Sequence, residues 1–213
     1  YSVLILCGGG VFVLLITLFF EAIDIPIENF AMEWVGFSGL LATPGVAAYL
    51  VEKKRSLIEN LAPVLAKIFI PLFTLMMVAY IIALAVQRKS LVEDREMLIV
   101  VDLLLLLVVG MVLYDLSARQ EGEAFSLSHG MNLALIGAAI VIDAIALYGI
   151  VGRLEEFGFS PNRTAALGEN ILLLGNLVGL AVTYVRFAVG KDGLRPIWRW
   201  QVRYLPVYAA WMA

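Results

Sequence analysis

Several side chains able to bind or move an ion lie inside stretches that are otherwise apolar. Asp143 is deep in the run 131–151, eight residues before its end. Asp102 lies about one and a half helical turns inside the run 97–116, and Glu169 and Asn176 lie inside the run 165–188. Arg153 and Arg163 border the short polar stretch between the last two runs. Charge in hydrocarbon is costly, so such residues face the interior of a helix bundle, pair with one another, or line a pathway. A guanidinium near a carboxylate would offset part of that cost. The chemistry open to Asp102, Asp143, Arg153, Arg163, Glu169 and Asn176 is passage of an ion, a proton or a polar solute. The same residue types also serve as interhelical hydrogen bonds, worth ~0.6–2 kcal/mol each, that set packing register.

The elements that must hold them are transmembrane helices. Of the 213 residues, 62% are hydrophobic and 15% charged, and the mean hydropathy is +0.94. A soluble domain is about half apolar and a quarter charged. A hydrocarbon core of ~30 Å takes ~20 apolar residues as helix, and several runs reach that length. The expectation is an all-α polytopic bundle forming one transmembrane domain, with spans at about 3–20, 34–51, 63–86, 97–116, 131–151 and 165–188. A seventh begins at 204–213. Tyr1 in place of an initiator methionine, and the half-span at the end, suggest a fragment of a longer chain.

Within the sixth run Glu169, Asn176 and Thr183 recur every seven residues and should share a face, with Gly175 and Gly179 forming a GxxxG step beside it. Ala139, Asp143 and Ala146 share a face of the fifth run, in line with Asn132. These two spans should pack together. Ser160 followed by Pro161 reads as a helix start. Pro44 should kink or break the second span, and Pro71 should kink the third. Gly8, Gly9 and Gly10 read as a packing patch. Asp115, near the end of its run, is expected to reach water, and His129 is expected to be a solvated loop residue.

Orientation comes from basic residues near the spans. Lys53, Lys54 and Arg55 form a row beside the second span and read as cytoplasmic. With that loop inside, ten basic residues fall on its side and five on the other. The N-terminal end is then cytoplasmic, and the acidic loop with Glu21, Asp24, Glu28 and Glu33 lies outside. Lys53, Lys54 and Arg55, together with Arg195, Arg199 and Arg203 of a basic, Trp-rich membrane-surface segment, could contact anionic lipid head groups.

One cysteine, Cys7, cannot form an internal disulfide. With His129 as the one histidine, the composition argues against a zinc site built from His and Cys. No nucleophile–His pairing or phosphate-binding motif is present, so no cofactor and no nucleic-acid partner is implied.

Three short motifs carry a resemblance: Arg153…Phe157-Gly158-Phe159…Asn162-Arg163, then Glu93-Asp94-Arg95-Glu96, then Arg203-Tyr204-Leu205-Pro206-Val207-Tyr208. Over roughly residues 65–213 they resemble a bacterial family of large multi-pass inner-membrane proteins of unknown function. This chain has Phe157 and Ser160 where the family pattern has Tyr and Thr. The resemblance implies a bacterial helical membrane protein and assigns no catalytic residue. Three functions are therefore carried forward. The first is a transport or permease-like component with its polar cluster between spans four, five and six. The second is a structural or regulatory subunit acting through packing with a partner or a second copy. The third is a lipid-linked transferase using Glu21, Asp24 or Glu28.

Overall fold

The computed structural model describes residues 2–53, 61–87 and 95–212. Lys54, Arg55 and the loop 88–94 lie outside them. Every regular element among the described residues is helical. In chain order these are α1 (Ser2–Glu21), α2 (Glu28–Phe30), a π-turn (Ala31–Gly36), α3 (Phe37–Lys53), α4 (Leu61–Gln87), α5 (Arg95–Ser117), α6 (Leu127–Phe157), α7 (Pro161–Ala188) and α8 (Arg195–Met212).

Five of these are long and apolar enough to cross a membrane: Ser2–Glu21, Leu65–Gln87, Met97–Ser117, Leu127–Phe157 and Pro161–Ala188. The expected six full spans are not matched on that criterion. α3 has 17 residues, short of the ~20 that a full crossing takes. It is nonetheless continuous with α2 through the π-turn, since the residues joining them keep helical φ and ψ. The acidic stretch read as a loop splits into a turn at Ala22–Asp24 and the first turns of this second helix.

Pro44 and Pro71 each sit inside a continuous helix, so Pro44 does not break the second span. Pro44 removes one backbone donor. Next to it the Thr43 hydroxyl donates to the Gly39 carbonyl at 2.7 Å, and the Thr74 hydroxyl donates to the Ile70 carbonyl at 2.7 Å. Gly8 does act as a packing residue: a Cβ there would sit 2.5 Å from the Phe69 ring of α4.

α6 is the central helix and packs on α4, α5 and most extensively on α7. Its 31 residues overrun the expected span at both ends. The start comes from a local device. The Ser126 backbone N–H donates to His129 Nδ1 at 3.1 Å, so the neutral ring carries its proton on Nε2. At the other end Gly158 takes φ 72° and closes the helix by donating to the Leu154 carbonyl. α7 then begins as expected, with the Ser160 hydroxyl accepting from the Arg163 backbone N–H and Pro161 in the first turn.

The segment expected as a surface stretch followed by a new span is one helix, α8, lying antiparallel along α7. Its Trp200, Tyr204 and Trp211 meet Gly179, Gly175 and Gly168 in that order. The GxxxG step of α7 thus admits aromatic rings of α8. Overpacking of this kind costs ~1–3 kcal/mol. Gly179→Ala should accordingly lower the midpoint of thermal unfolding in detergent. Gly137→Ala on α6, with nothing within 4 Å of its added carbon, should leave that midpoint unchanged or raise it.

Candidate functional site

The polar residues of the bundle fall into separate groups. One lies where α5, α6 and α7 meet. Asn170 donates through Nδ2 to Asp102 Oδ1 at 2.8 Å and to the Ala166 carbonyl at 3.0 Å, which uses both of its amide protons. Asp143 sits at the centre of α6 and is fully buried among Ala139, Ile142 and Ala146 of its own helix face. Neither of its carboxylate oxygens has a hydrogen-bond partner among the described residues, and Asn170 Oδ1 has none either. Asp143 and Asp102 interact electrostatically, and half-buried Glu169 acts on Asp102 in turn. The three carboxylates step from half-buried Glu169 and Asp102 to fully buried Asp143. Acceptor atoms outnumber donors in this group.

The arginines expected to neutralise it do not. Arg163 spends its guanidinium on the Phe157 and Gly158 carbonyls, each at 2.8 Å, and covers the Phe157 ring at 5.4 Å. It closes the α6–α7 turn. Arg153 is half-buried on the last turns of α6, and it makes no hydrogen bond to Asp143, whose oxygens have no hydrogen-bond partner among the described residues. The motif residues Phe157, Gly158 and Arg163 thus have a local explanation as parts of a turn.

A second group binds α7 to α8. Asn176 donates to the Tyr208 hydroxyl at 3.0 Å, and its side-chain oxygen accepts from Trp200 Nε1 at 2.9 Å. Gln201 Nε2 adds a longer bond of 3.3 Å to the same oxygen. Asn176 is therefore saturated. Thr183, expected on the same face, turns its hydroxyl back to the Gly179 and Leu180 carbonyls of its own helix.

The third group was not anticipated. Asp115 and His129, both expected at water, are each 1% exposed. Asp115 Oδ2 accepts from Arg119 Nη2 at 2.7 Å, from Arg119 Nε at 3.1 Å and from Asn132 Nδ2 at 2.6 Å. Arg119 also reaches Ser128 at 2.8 Å, and Asn132 reaches the Tyr184 hydroxyl at 3.4 Å. Rings of Phe125 and Phe187 cover His129, which explains its burial beside a loop. Outside the helices, the backbone N–H of Gln120 and the Arg119 guanidinium hold the Glu123 carboxyl below its usual range. The i, i+4 spacing of Asp115 and Arg119 was the available sequence signal. Asn132, read as aligned with Asp143, belongs to this group.

A groove of 850 Å³ opens elsewhere, between α1, the π-turn with α3, and α4. Its lining is largely apolar and includes Gly9, Gly10, Gly36, Gly39 and Glu28. None of Asp102, Asp143, Glu169 or Asn176 lines it. No group of three or more His, Cys, Asp or Glu side chains arranged to hold a metal occurs among the described residues.

The two buried carboxylates make opposite predictions. Asp115→Ala strands a guanidinium that is 7% exposed, and breaking a buried pair costs ~3–5 kcal/mol. It should sharply lower the unfolding midpoint, whereas Asp115→Leu combined with Arg119→Leu should recover most of the loss.

Comparison of the chain with protein-family models, with curated proteins and with solved structures returns no match, so the site stands on its own geometry.

Proposed function

We propose that this protein is a transport or permease-like component of a bacterial inner membrane, in which Asp143 takes up and releases a proton or a small cation. One observation carries the reading. Among the described residues Asp143 is fully buried with neither oxygen hydrogen-bonded, while Asp115 of the same bundle is about as buried and has its Oδ2 held by three N–H groups. Asp115 has the surroundings of a carboxylate kept for packing, and Asp143 does not. Chains of carboxylates inside transmembrane bundles are the usual material of proton and ion relays. The order Glu169, Asp102, Asp143 supplies such a chain from the rim of the bundle to its centre.

In this reading α3 completes a sixth crossing with the help of the π-turn, and α8 begins a seventh. The N-terminal end is cytoplasmic, so the Asp115 group lies on the cytoplasmic side and Glu169 toward the outer side. A second reading, a structural subunit working through helix packing, draws its support from Asn176, whose bonds to α8 are complete.

One experiment separates these readings, and a second tests the orientation. Asp143→Asn keeps size and removes charge. Under the transport reading it should leave the unfolding midpoint nearly unchanged and abolish proton- or cation-coupled flux into liposomes. An unchanged flux would leave the packing reading. For orientation, in a Cys7→Ser background, Asn162→Cys should react with an impermeant thiol reagent added outside intact cells and Ser117→Cys should not. The reverse pattern would invert the bundle.

A further inference from the structure

α8 turns one side toward α7 and the other away from the bundle. Ile197 and Gln201 are buried against it, and Trp200, Tyr204 and Tyr208 are half-buried. Arg199 and Arg203 project from the opposite side and are exposed. Their depth follows from the pairing of the two helices. Trp200 bonds to Asn176 and packs on Gly179, and Tyr204 donates to the Leu172 carbonyl at 2.7 Å. Arg203 lies between these two contacts, level with the middle turns of a 28-residue helix that is long and apolar enough to span the membrane.

Arg195, at the start of α8, reaches Glu121 of the α5–α6 loop at 3.5 Å. Arg203 lies about 12 Å farther along the helix. Neither Arg199 nor Arg203 makes an ion pair or hydrogen bond with any of the described residues. Outward-facing guanidinium groups at the middle of a bilayer are among the costliest arrangements a membrane protein can show. A side chain can snorkel when it sits near the end of a helix, but Arg203 is level with the middle of α7. A lipid head group has the right charge but the wrong depth. A second copy would bring the same arginines to a two-fold contact.

We infer that the outward face of α8, centred on Arg199 and Arg203, is a docking surface for a partner transmembrane helix carrying carboxylates about one helical turn apart. Residues one turn apart on the partner match Arg199 and Arg203, which are themselves one turn apart. Bidentate pairing of guanidinium with carboxylate suits a buried interface of this kind. This inference needs the membrane setting and does not depend on what Asp143 carries.

The test uses the protein in nanodiscs of neutral phosphatidylcholine, with a fluorescent donor on Cys7, which is exposed. The probe is an acceptor-labelled leucine–alanine transmembrane peptide with two glutamates four residues apart at mid-length. The control peptide has glutamines in their place. The expected result is saturable energy transfer at least roughly tenfold tighter for the glutamate peptide. Arg199→Leu with Arg203→Leu should erase that preference while keeping the helical content and raising the unfolding midpoint by roughly 5 °C. Arg199→Gln with Arg203→Gln should erase it too. Equal transfer from the two peptides overturns the inference. So does phosphatidylglycerol that co-purifies with the parent protein and not with the variants, which would make the cover a lipid. A dimer by mass that the variants lose would make it a second copy and is equally fatal. Loss of folding in both double variants would make these arginines part of the protein's own core, which also overturns it.

Discussion

A polar group with no water around it must find its hydrogen bonds among its neighbours, and the polar contacts of this bundle follow that requirement. The backbone meets it by being helical. Threonine hydroxyls inside the spans likewise turn back to carbonyls of their own helix, Thr43 to Gly39 and Thr74 to Ile70. Side chains meet it between helices: Asn170 to Asp102, Asn132 to Asp115, Asn176 to Tyr208 and Trp200. Each bond joins helices already in contact through apolar surface, so the bonds select a register that apolar packing alone would leave loose.

The same requirement explains why the helices differ in their partners. α6 carries small buried residues, Ala138, Ala139 and Ala146, along the middle of its length, and it is the helix on which α4, α5 and α7 all pack. α7 offers glycine on the side that meets α8, so aromatic rings approach its backbone there. α1 has large side chains on its packed face, with Phe12 and Phe19 set edge-on against Phe73 and Tyr80 of α4. It leaves a groove toward α3 where glycines of both helices fail to fill the space. A bundle with one tightly closed half and one grooved half is the outcome.

Much of this was legible in the residues, and what was not has definite causes. Apolar run length identified α1, α4, α5, α6 and α7, because twenty apolar residues in a row leave few alternatives to a helix. Ser160 and Pro161 located the start of α7, since capping is a local property. The ends of α6 escaped because His129 and Gly158 act outside the apolar run that marks it. Asp115 and His129 looked solvated because they lie near a loop in sequence. Their burial depends on Phe187 and Tyr184, which arrive from a helix more than fifty residues away. Arg163 looked like a partner for Asp143 because charge complementarity ignores reach. The carbonyls of its own turn were closer. At Asp102, Asp143 and Asn170 the sequence indicated polar residues inside spans, but spacing along single helices did not pair Asn170 with Asp102.

Asp143 remains the residue that stability alone does not explain. A buried carboxylate adds to a fold only when its donors return what desolvation removed, and well-packed apolar residues commonly do as well or better. Asp115 has its donors. Asp143 has alanine and isoleucine beside it on its own helix face and a second carboxylate, Asp102, as its electrostatic neighbour, an arrangement that repels charge rather than holding it. An alanine at that position would pack against the same neighbours at no electrostatic cost. No contact among the described residues offsets that cost, and this is the ground on which uptake of a proton or a small cation is proposed.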